Sequence, residues 1–326
     1  MKKAILSICF IAACSLSYGQ SAAEQEYNNN VAEAEKLYDQ KDYARSAQHY
    51  SKAFAALGGK GMPGDRYNAA CTWALAGNAD SAFFQLERIA TKSNYTDLNH
   101  LLVDTDLTTL RNDKRWNEVV AIVKQNKEKL EANYNKPVVA MLDTIMMEDQ
   151  KYRMEIEAVE KKYGRDSKEM KAHWKKIEKA DEINLKKVTA ILDKYGWMGP
   201  DEVGRSGNSA LFLVIQHADH KTQKKYLPIM REAVNQNKAN PSHLAMLEDR
   251  VALGEGKKQV YGSQIGMDQK TGKYYVSPLE DPDNVDKRRA DVGLGPLSEY
   301  VRNWQLEWNV EEYKKQLPQI EAMEKK

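Results

Sequence analysis

Residues 211–264 read LFLVIQHADHKTQKKYLPIMREAVNQNKANPSHLAMLEDRVALGEGKKQVYGSQ. Apolar residues recur here at helical spacing, broken by punctuation that local chemistry explains. Asn208 or Ser209 caps a helix expected over 210–219. Pro228 lacks an amide hydrogen and predicts a break or kink. Asn240-Pro241 pairs an N-cap with a first-turn proline, opening a helix that runs to Gly254. The period then changes. Residues 259–265 and 273–277 read as two strands around a turn at 268–272, giving a β-hairpin over 259–277. Alternation would place Gln259 and Tyr261 on one face and Gln264 on the other. Gly262 marks a bulge or a close approach of another group. The chain is therefore expected to be mainly α, with one small β-hairpin.

The same stretch carries polar groups inside apolar runs: Gln216, His217, Asp219, Asp249 and Arg250. Such groups persist in a core when they are paired or when they act. His217 shares a helix face with Ala210, Leu213 and Val214, so it is expected to be buried. Its partner should come from a distant segment, either a carboxylate or the side chain of Tyr261 or Gln264. Asp219 falls on another face, with Phe212 and Ile215. Asp249 and Arg250 point about 100° apart on their helix, so each should meet a separate partner. His217 and His220 are spaced i, i+3, but no third ligand stands near them, so no metal is expected.

Upstream, a helix from Pro137 to Tyr163 and a second ending at Tyr195 form a hairpin over 137–195, turning at Gly164-Arg165-Asp166-Ser167. Asp149 and Asp181 fall level on facing stripes. Two carboxylates at one level would raise each other's pKa or require a cation between them, and Arg153, one turn from Asp149, could be that cation. Gly196 ends the second helix.

Residues 24–127 repeat a pattern. Ala34, Leu37, Tyr43, Tyr50 and Ala53 are followed by Ala70, Trp73, Ala82, Leu86 and Ile89. The turns at Lys41-Asp42 and Gly77-Asn78 lie 36 residues apart. This half resembles the tetratricopeptide repeat family, whose period is about 34. Lys41 replaces the usual turn glycine and Ser46 a helix-B alanine, and no proline closes either repeat. Two repeats bury too little surface alone, so Leu107, Leu110, Trp116, Val119, Val120 and Val123 are expected to add a third helical layer, capped by Asp113. The resemblance implies a groove for a protein or peptide.

The region 136–326 is expected to be a second, mostly helical domain. From 149 to 300 it resembles a widespread bacterial domain family with no established biochemical function. The resemblance rests on Asp149-Gln150 with Arg153, Tyr195-Gly196-Trp197, Gln216-His217-Ala218-Asp219, Asp249-Arg250, Gln259-Val260-Tyr261-Gly262-Ser263-Gln264 and Arg288-Arg289. It implies a shared polar site, Asp149, Arg153, His217, Asp219, Asp249, Arg250, Gln259, Tyr261, Gln264, Arg288 and Arg289, and names no reaction.

The N-terminus reads as a secretory signal over 1–19. Lys2 and Lys3 precede an apolar run too short to span a bilayer, and Ser17-Tyr18-Gly19 offers a cleavage site. Export to the periplasm or beyond follows. The alternative is a lipid anchor at Cys14, making an outer-membrane lipoprotein. Without Lys2 and Lys3 the formal charge falls from +2 to zero, which argues against a nucleic-acid binder. After cleavage Cys71 is the one cysteine left, so no disulfide forms, and it reads as a packing residue. No P-loop, dinucleotide fingerprint, G-x-S-x-G or H-E-x-x-H is present, and no cofactor is expected. The first reading of function is an exported repeat protein that binds a protein or a ligand. The alternative is an enzyme or small-ligand sensor with its site in the second domain. A third makes the same polar set a structural network.

Overall fold

A computed structural model describes residues 21–268 and 271–324. The proposed signal segment and Cys14 lie outside the described residues. The chain divides between Asn133 and Tyr134 into two compact units. Among the described residues no helix is long and apolar enough to cross a membrane.

The first unit is all helical. It comprises α1 (Ala22–Asp39), α2 (Tyr43–Ala56), α3 (Pro63–Leu75), α4 (Ala79–Lys92), α5 (Leu98–Val103), a 3-10 turn (Thr105–Leu110) and α6 (Lys114–Leu130). Its helices begin where side chains satisfy free amides. Asp42, Asn78 and Asp113 accept from the backbone N–H of Arg45, Ser81 and Arg115. Alanines at 34, 47, 53, 69, 70 and 82 are fully buried and let the helices approach closely. Ser46 is fully buried too, and its hydroxyl donates to the Ala34 carbonyl at 2.6 Å. The expected third layer is present: Leu107, Leu110, Trp116, Val119 and Val123 join the Cys71, Phe83 and Leu86 core.

The turns that follow α1 and α3 share one backbone solution. Lys41 has φ 63° and Gly77 has φ 78°. The left-handed region costs an L-residue about 1–2 kcal/mol, against about 0.5–1 kcal/mol for the extra freedom that glycine loses on folding. Lys41→Gly should therefore stabilise the first unit, by up to about 1 kcal/mol. Gly77→Ala should destabilise it by a similar amount, since no atom lies within 4 Å of the added Cβ and strain is the whole effect. Urea unfolding of both variants checks this, and shifts of equal sign would refute it.

The second unit is mainly helical with a two-stranded sheet. It runs through α7 (Lys136–Arg153), α8 (Ile156–Tyr163), α9 (Lys168–Tyr195), α10 (Pro200–His217), α11 (His220–Asn235) and α12 (Pro241–Gly254). β1 (Ile265–Met267) and β2 (Tyr274–Val276) follow, then α13 (Val285–Asp291), α14 (Leu297–Tyr300) and α15 (Val310–Glu324). The strands pair antiparallel with Ile265 opposite Val276. The main core joins Leu142, Ile145, Val188, Leu211, Ile215, Tyr226 and Met230 from α7, α9, α10 and α11. A smaller one gathers Val276, Leu279, Val285, Leu297, Val301 and Tyr313 near the sheet.

Three helix expectations need correction. The first hairpin helix breaks after Arg153. The Tyr152 carbonyl, which Ile156 would engage in a continuous helix, accepts from His173 Nε2 at 2.7 Å and from the Glu155 amide at 3.2 Å. A side chain inserted into the ladder ends it. Next, α10 starts at Pro200 and bends at Gly204 (φ 72°) rather than starting at 210. Asn208 caps nothing; it is buried and donates to the carbonyls of Met198 (2.8 Å) and Lys238 (2.7 Å). Last, α11 passes through Pro228 without a break. Pro228 and Lys224 are both exposed, so water can take the carbonyl that the missing amide leaves free.

Candidate functional site

The seam of the helical hairpin holds the first polar group. Asp149 on α7 is 1% exposed and His217, at the end of α10, is 21% exposed. Their contact, Nδ1 to Oδ1, is 3.0 Å. Gln150 donates to the other oxygen of Asp149 at 2.8 Å. Arg153 donates to both carboxylate oxygens of Asp181 on α9, at 2.9 and 2.8 Å, and to the Asp149 carbonyl at 3.0 Å. The guanidinium thus lies between the two carboxylates. Burial pushes the Asp149 carboxyl up, but the His217 hydrogen bond, with the charges of His217 and Arg153, outweighs it and holds the pKa below the ordinary value. Asp149 is the anion that orients the imidazole.

This pair forms one wall of a cleft of about 310 Å³. The rest of its lining includes Glu178, Asp181 and Glu182 from α9 and Asp219, with Leu185 and Val214 as apolar surface. His217 Nε2 has no hydrogen-bond partner among the described residues. A histidine with one nitrogen on a carboxylate and the other at a cleft can accept a proton or bind a polar ligand. A larger hollow of about 450 Å³ lies over Ser298, Arg302 and Trp308. None of its lining residues is buried and it carries no polar pair, so it is not the candidate.

The second polar group is a loop wrapped around one carboxylate. Asp249 on α12 is fully buried. It accepts from the backbone N–H of Val260 (2.7 Å), Tyr261 (3.0 Å) and Ser263 (2.9 Å). Burial pushes its pKa up, opposed by those three amides. The expected strand over 259–265 is therefore absent: amides that would pair with a neighbouring strand are taken by Asp249. Gln259 keeps one isolated parallel bridge to Leu279. Gln259 and Gln264, expected on opposite faces, bond to each other, with the Gln264 amide donating to Gln259 Oε1 at 2.8 Å. Gly262 (φ +67°) is the close approach: an added Cβ would meet Leu297 at 3.1 Å.

Three arginines hold this loop. Arg288 Nε donates to the Val260 carbonyl at 2.9 Å, and Arg289, 1% exposed, donates to those of Tyr261 (2.8 Å) and Gly295 (2.6 Å). Tyr300 donates to the Ser263 carbonyl at 2.8 Å. Arg250 links the loop to the cleft, donating to Gln264 Oε1 (3.0 Å) and to the carbonyl of Gln216 (2.7 Å), the residue before His217.

The predicted set thus separates by position. Asp149 and His217 meet at the cleft, and Arg153 joins them through the Asp149 carbonyl and the Asp181 carboxylate. Asp249, Arg250, Gln259, Gln264, Arg288 and Arg289 build the loop behind it, and Tyr261 joins them through its backbone. His217 is half-buried rather than buried, and its partner is a carboxylate 68 residues away. Asp219 is exposed and not helical: it is the N-cap of α11, accepting from the Thr222 amide at 2.7 Å, so it touches the cleft without joining the pair. His220 Nε2 lies 3.3 Å from the Val251 carbonyl. Sequence reasoning missed Glu178 and Glu182, and it named Gln150 for the family resemblance without placing it in the site. Carboxylates at 178, 181 and 182, on the α9 turns beside the Asp149–Asp181 level, were the available signal.

A family model described as a family of unknown function (DUF6624) matches residues 138–311, just over half of the 326-residue chain. The chain belongs to that family. The match takes in both polar groups and ends before α15 is complete. No tetratricopeptide family model matches the first unit. Neither the curated proteins nor the solved structures contain a match.

Proposed function

We propose that this protein is an exported binding module whose second unit takes a small polar ligand in the cleft beside Asp149 and His217. The observation that carries this reading is the Asp149–His217 contact on the cleft wall. A carboxylate 1% exposed is costly to keep charged, and its hydrogen bond leaves a ring nitrogen of His217 available at the cleft. The loop around Asp249 and its arginines serves as scaffold, holding Gln216-His217 through Arg250. The helix pairs of the first unit, with their tetratricopeptide-like turns, suit a protein or peptide partner. The signal-like N-terminus supports export.

The second reading is an enzyme in which His217 moves a proton. It rests on His217 Nε2, which is free of any partner among the described residues while Nδ1 faces an anion. The two readings share one site and part at the chemistry.

The experiment is a thermal-shift screen of small polar molecules on the wild type and His217→Asn. The expected outcome is a compound that raises the wild-type melting temperature and leaves the variant unmoved. The variant itself should melt within a few degrees of wild type, because the Asn amide still offers a donor to the buried Asp149 carboxylate, which Gln150 and Arg153 continue to serve, so the loss is on the order of 1 kcal/mol. A variant that melts much lower, in a screen without hits, would make the pair a structural bond and sink the proposal.

A further inference from the structure

The cleft beside His217 also carries the chemistry that selects its ligand. On the reading that this cleft is the ligand site, we infer that its ligand is a small organic cation, an aliphatic amine whose protonated nitrogen donates to the cleft wall.

The hydrogen bond to Asp149 fixes what His217 offers. Asp149 is 1% exposed and is held in its ionised form. An ionised carboxylate only accepts hydrogen bonds. The 3.0 Å contact therefore puts the imidazole proton on Nδ1. In the neutral ring that leaves Nε2, at the cleft, as an acceptor with a free lone pair. A ligand group that meets it must donate.

The rest of the lining points the same way independently. Five carboxylates reach the cleft, from Asp149, Glu178, Asp181, Glu182 and Asp219, and no Lys or Arg does. Arg153 serves Asp149 and Asp181, and Lys186 pairs with Glu182 at 2.6 Å. Glu178 and Asp219 form no ion pair among the described residues, and Asp219 gives one oxygen to the Thr222 amide. Every polar side-chain group of the wall is thus an acceptor, and its two unpaired charges are negative. An ammonium group is the complement: it is positive, donates through three hydrogens and accepts through none.

Bonding and volume favour an organic cation over a metal ion. Asp149, Asp181 and His217 do bring ligand atoms within 4.8 Å of one another. Arg153 already holds both oxygens of Asp181, while His217 and Gln150 occupy those of Asp149. A metal ion there would have to displace these contacts. The cleft, about 310 Å³, is the size of a small organic-ligand pocket, and Leu185 and Val214 give an aliphatic stem apolar surface.

A free amine and a lysine side chain share this chemistry, and the test separates them. Calorimetric titration of the full chain uses cadaverine as the free amine, Nα-acetyl-lysine amide as the lysyl form and glutarate as the anionic counterpart. The expected result is one-site binding of an amine and none of glutarate. Tighter binding of cadaverine assigns a free amine, and tighter binding of the lysine derivative assigns a lysyl side chain. Glu178→Gln combined with Asp219→Asn removes the two unpaired charges. Glu178 is exposed and Asn preserves the α11 cap, so this variant should melt like the wild type. Its amine affinity should fall at least ~10-fold. His217→Asn, which loses the Nε2 acceptor, should weaken amine binding by a similar factor, at least ~10-fold. No amine binding at millimolar concentration overturns the proposal, and so does an affinity unchanged in either variant. A His217-dependent anionic or neutral ligand overturns it while leaving the cleft a ligand site. Tight Mn²⁺ binding that Asp181→Asn abolishes overturns it in favour of a metal.

Discussion

Replacing Asp249 with alanine will lower the stability of the second unit by about 3–5 kcal/mol, the range for removing one partner of a buried charged contact. The carboxylate is fully buried and receives three backbone amides, from Val260, Tyr261 and Ser263. Alanine leaves all three unpaired beneath a loop that Arg288, Arg289 and Tyr300 still hold down. Each orphaned buried amide costs roughly 1–3 kcal/mol, less where water can enter. Asp249→Asn should lose less. It keeps one oxygen acceptor at the same place, and burial already works against the ionised form. Urea unfolding measures both, and hydrogen exchange assigns the loss to residues 134–324. An alanine variant within about 1 kcal/mol of wild type would mean that the loop does not depend on this carboxylate.

The second large effect is a pH dependence set by His243. Its ring lies parallel to Phe212, with centroids 4.1 Å apart and an interplanar angle of 8°. Its Nδ1 is buried without a partner. Burial pulls its pKa down from 6.5 to about 4. The unfolded chain therefore takes up the proton first as pH falls. Stability is complete above pH 6.5 and is lost on acidification until the folded form also protonates, near pH 4. At about 1.4 kcal/mol per pH unit the loss across that window is on the order of 3 kcal/mol. His243→Phe keeps a ring against Phe212 and removes both the titration and the unpaired nitrogen. The variant should therefore gain on wild type as pH falls from 7 to 4. Carboxylates near pH 4 contribute to both proteins alike, so the difference between the two unfolding curves is the measurement. Parallel curves over that window would refute the assignment.

The local features of this fold were legible in the sequence because they are set by neighbours along the chain. Asp113 and Asn240 cap their helices as expected, since a side-chain oxygen reaches the amide two residues on. Gly196 (φ 70°) ends α9 because a left-handed residue there costs glycine little. The level placement of Asp149, Arg153 and Asp181 also followed from helical spacing and one turn position. So did the need of Asp249 and Arg250 for separate partners.

What failed were inferences that treated a segment as if its neighbours in sequence were its neighbours in space. Residues 259–265 have the composition of a strand, yet their amides face a carboxylate on α12, 11 to 14 residues back. A hydrogen-bonding pattern depends on what lies opposite, and alternation says nothing of that. The helix expected to reach Tyr163 broke because His173, on the facing helix, took the Tyr152 carbonyl. Asn208 looked like a cap, and tertiary packing gave it two distant carbonyls instead. The pairing of His217 with Asp149, across 68 residues, was decided by the same packing. Chain chemistry determined which polar groups had to find partners, because burying them alone is costly. The choice of partner required the three-dimensional arrangement of α7, α9, α10 and α12, which no local pattern encodes.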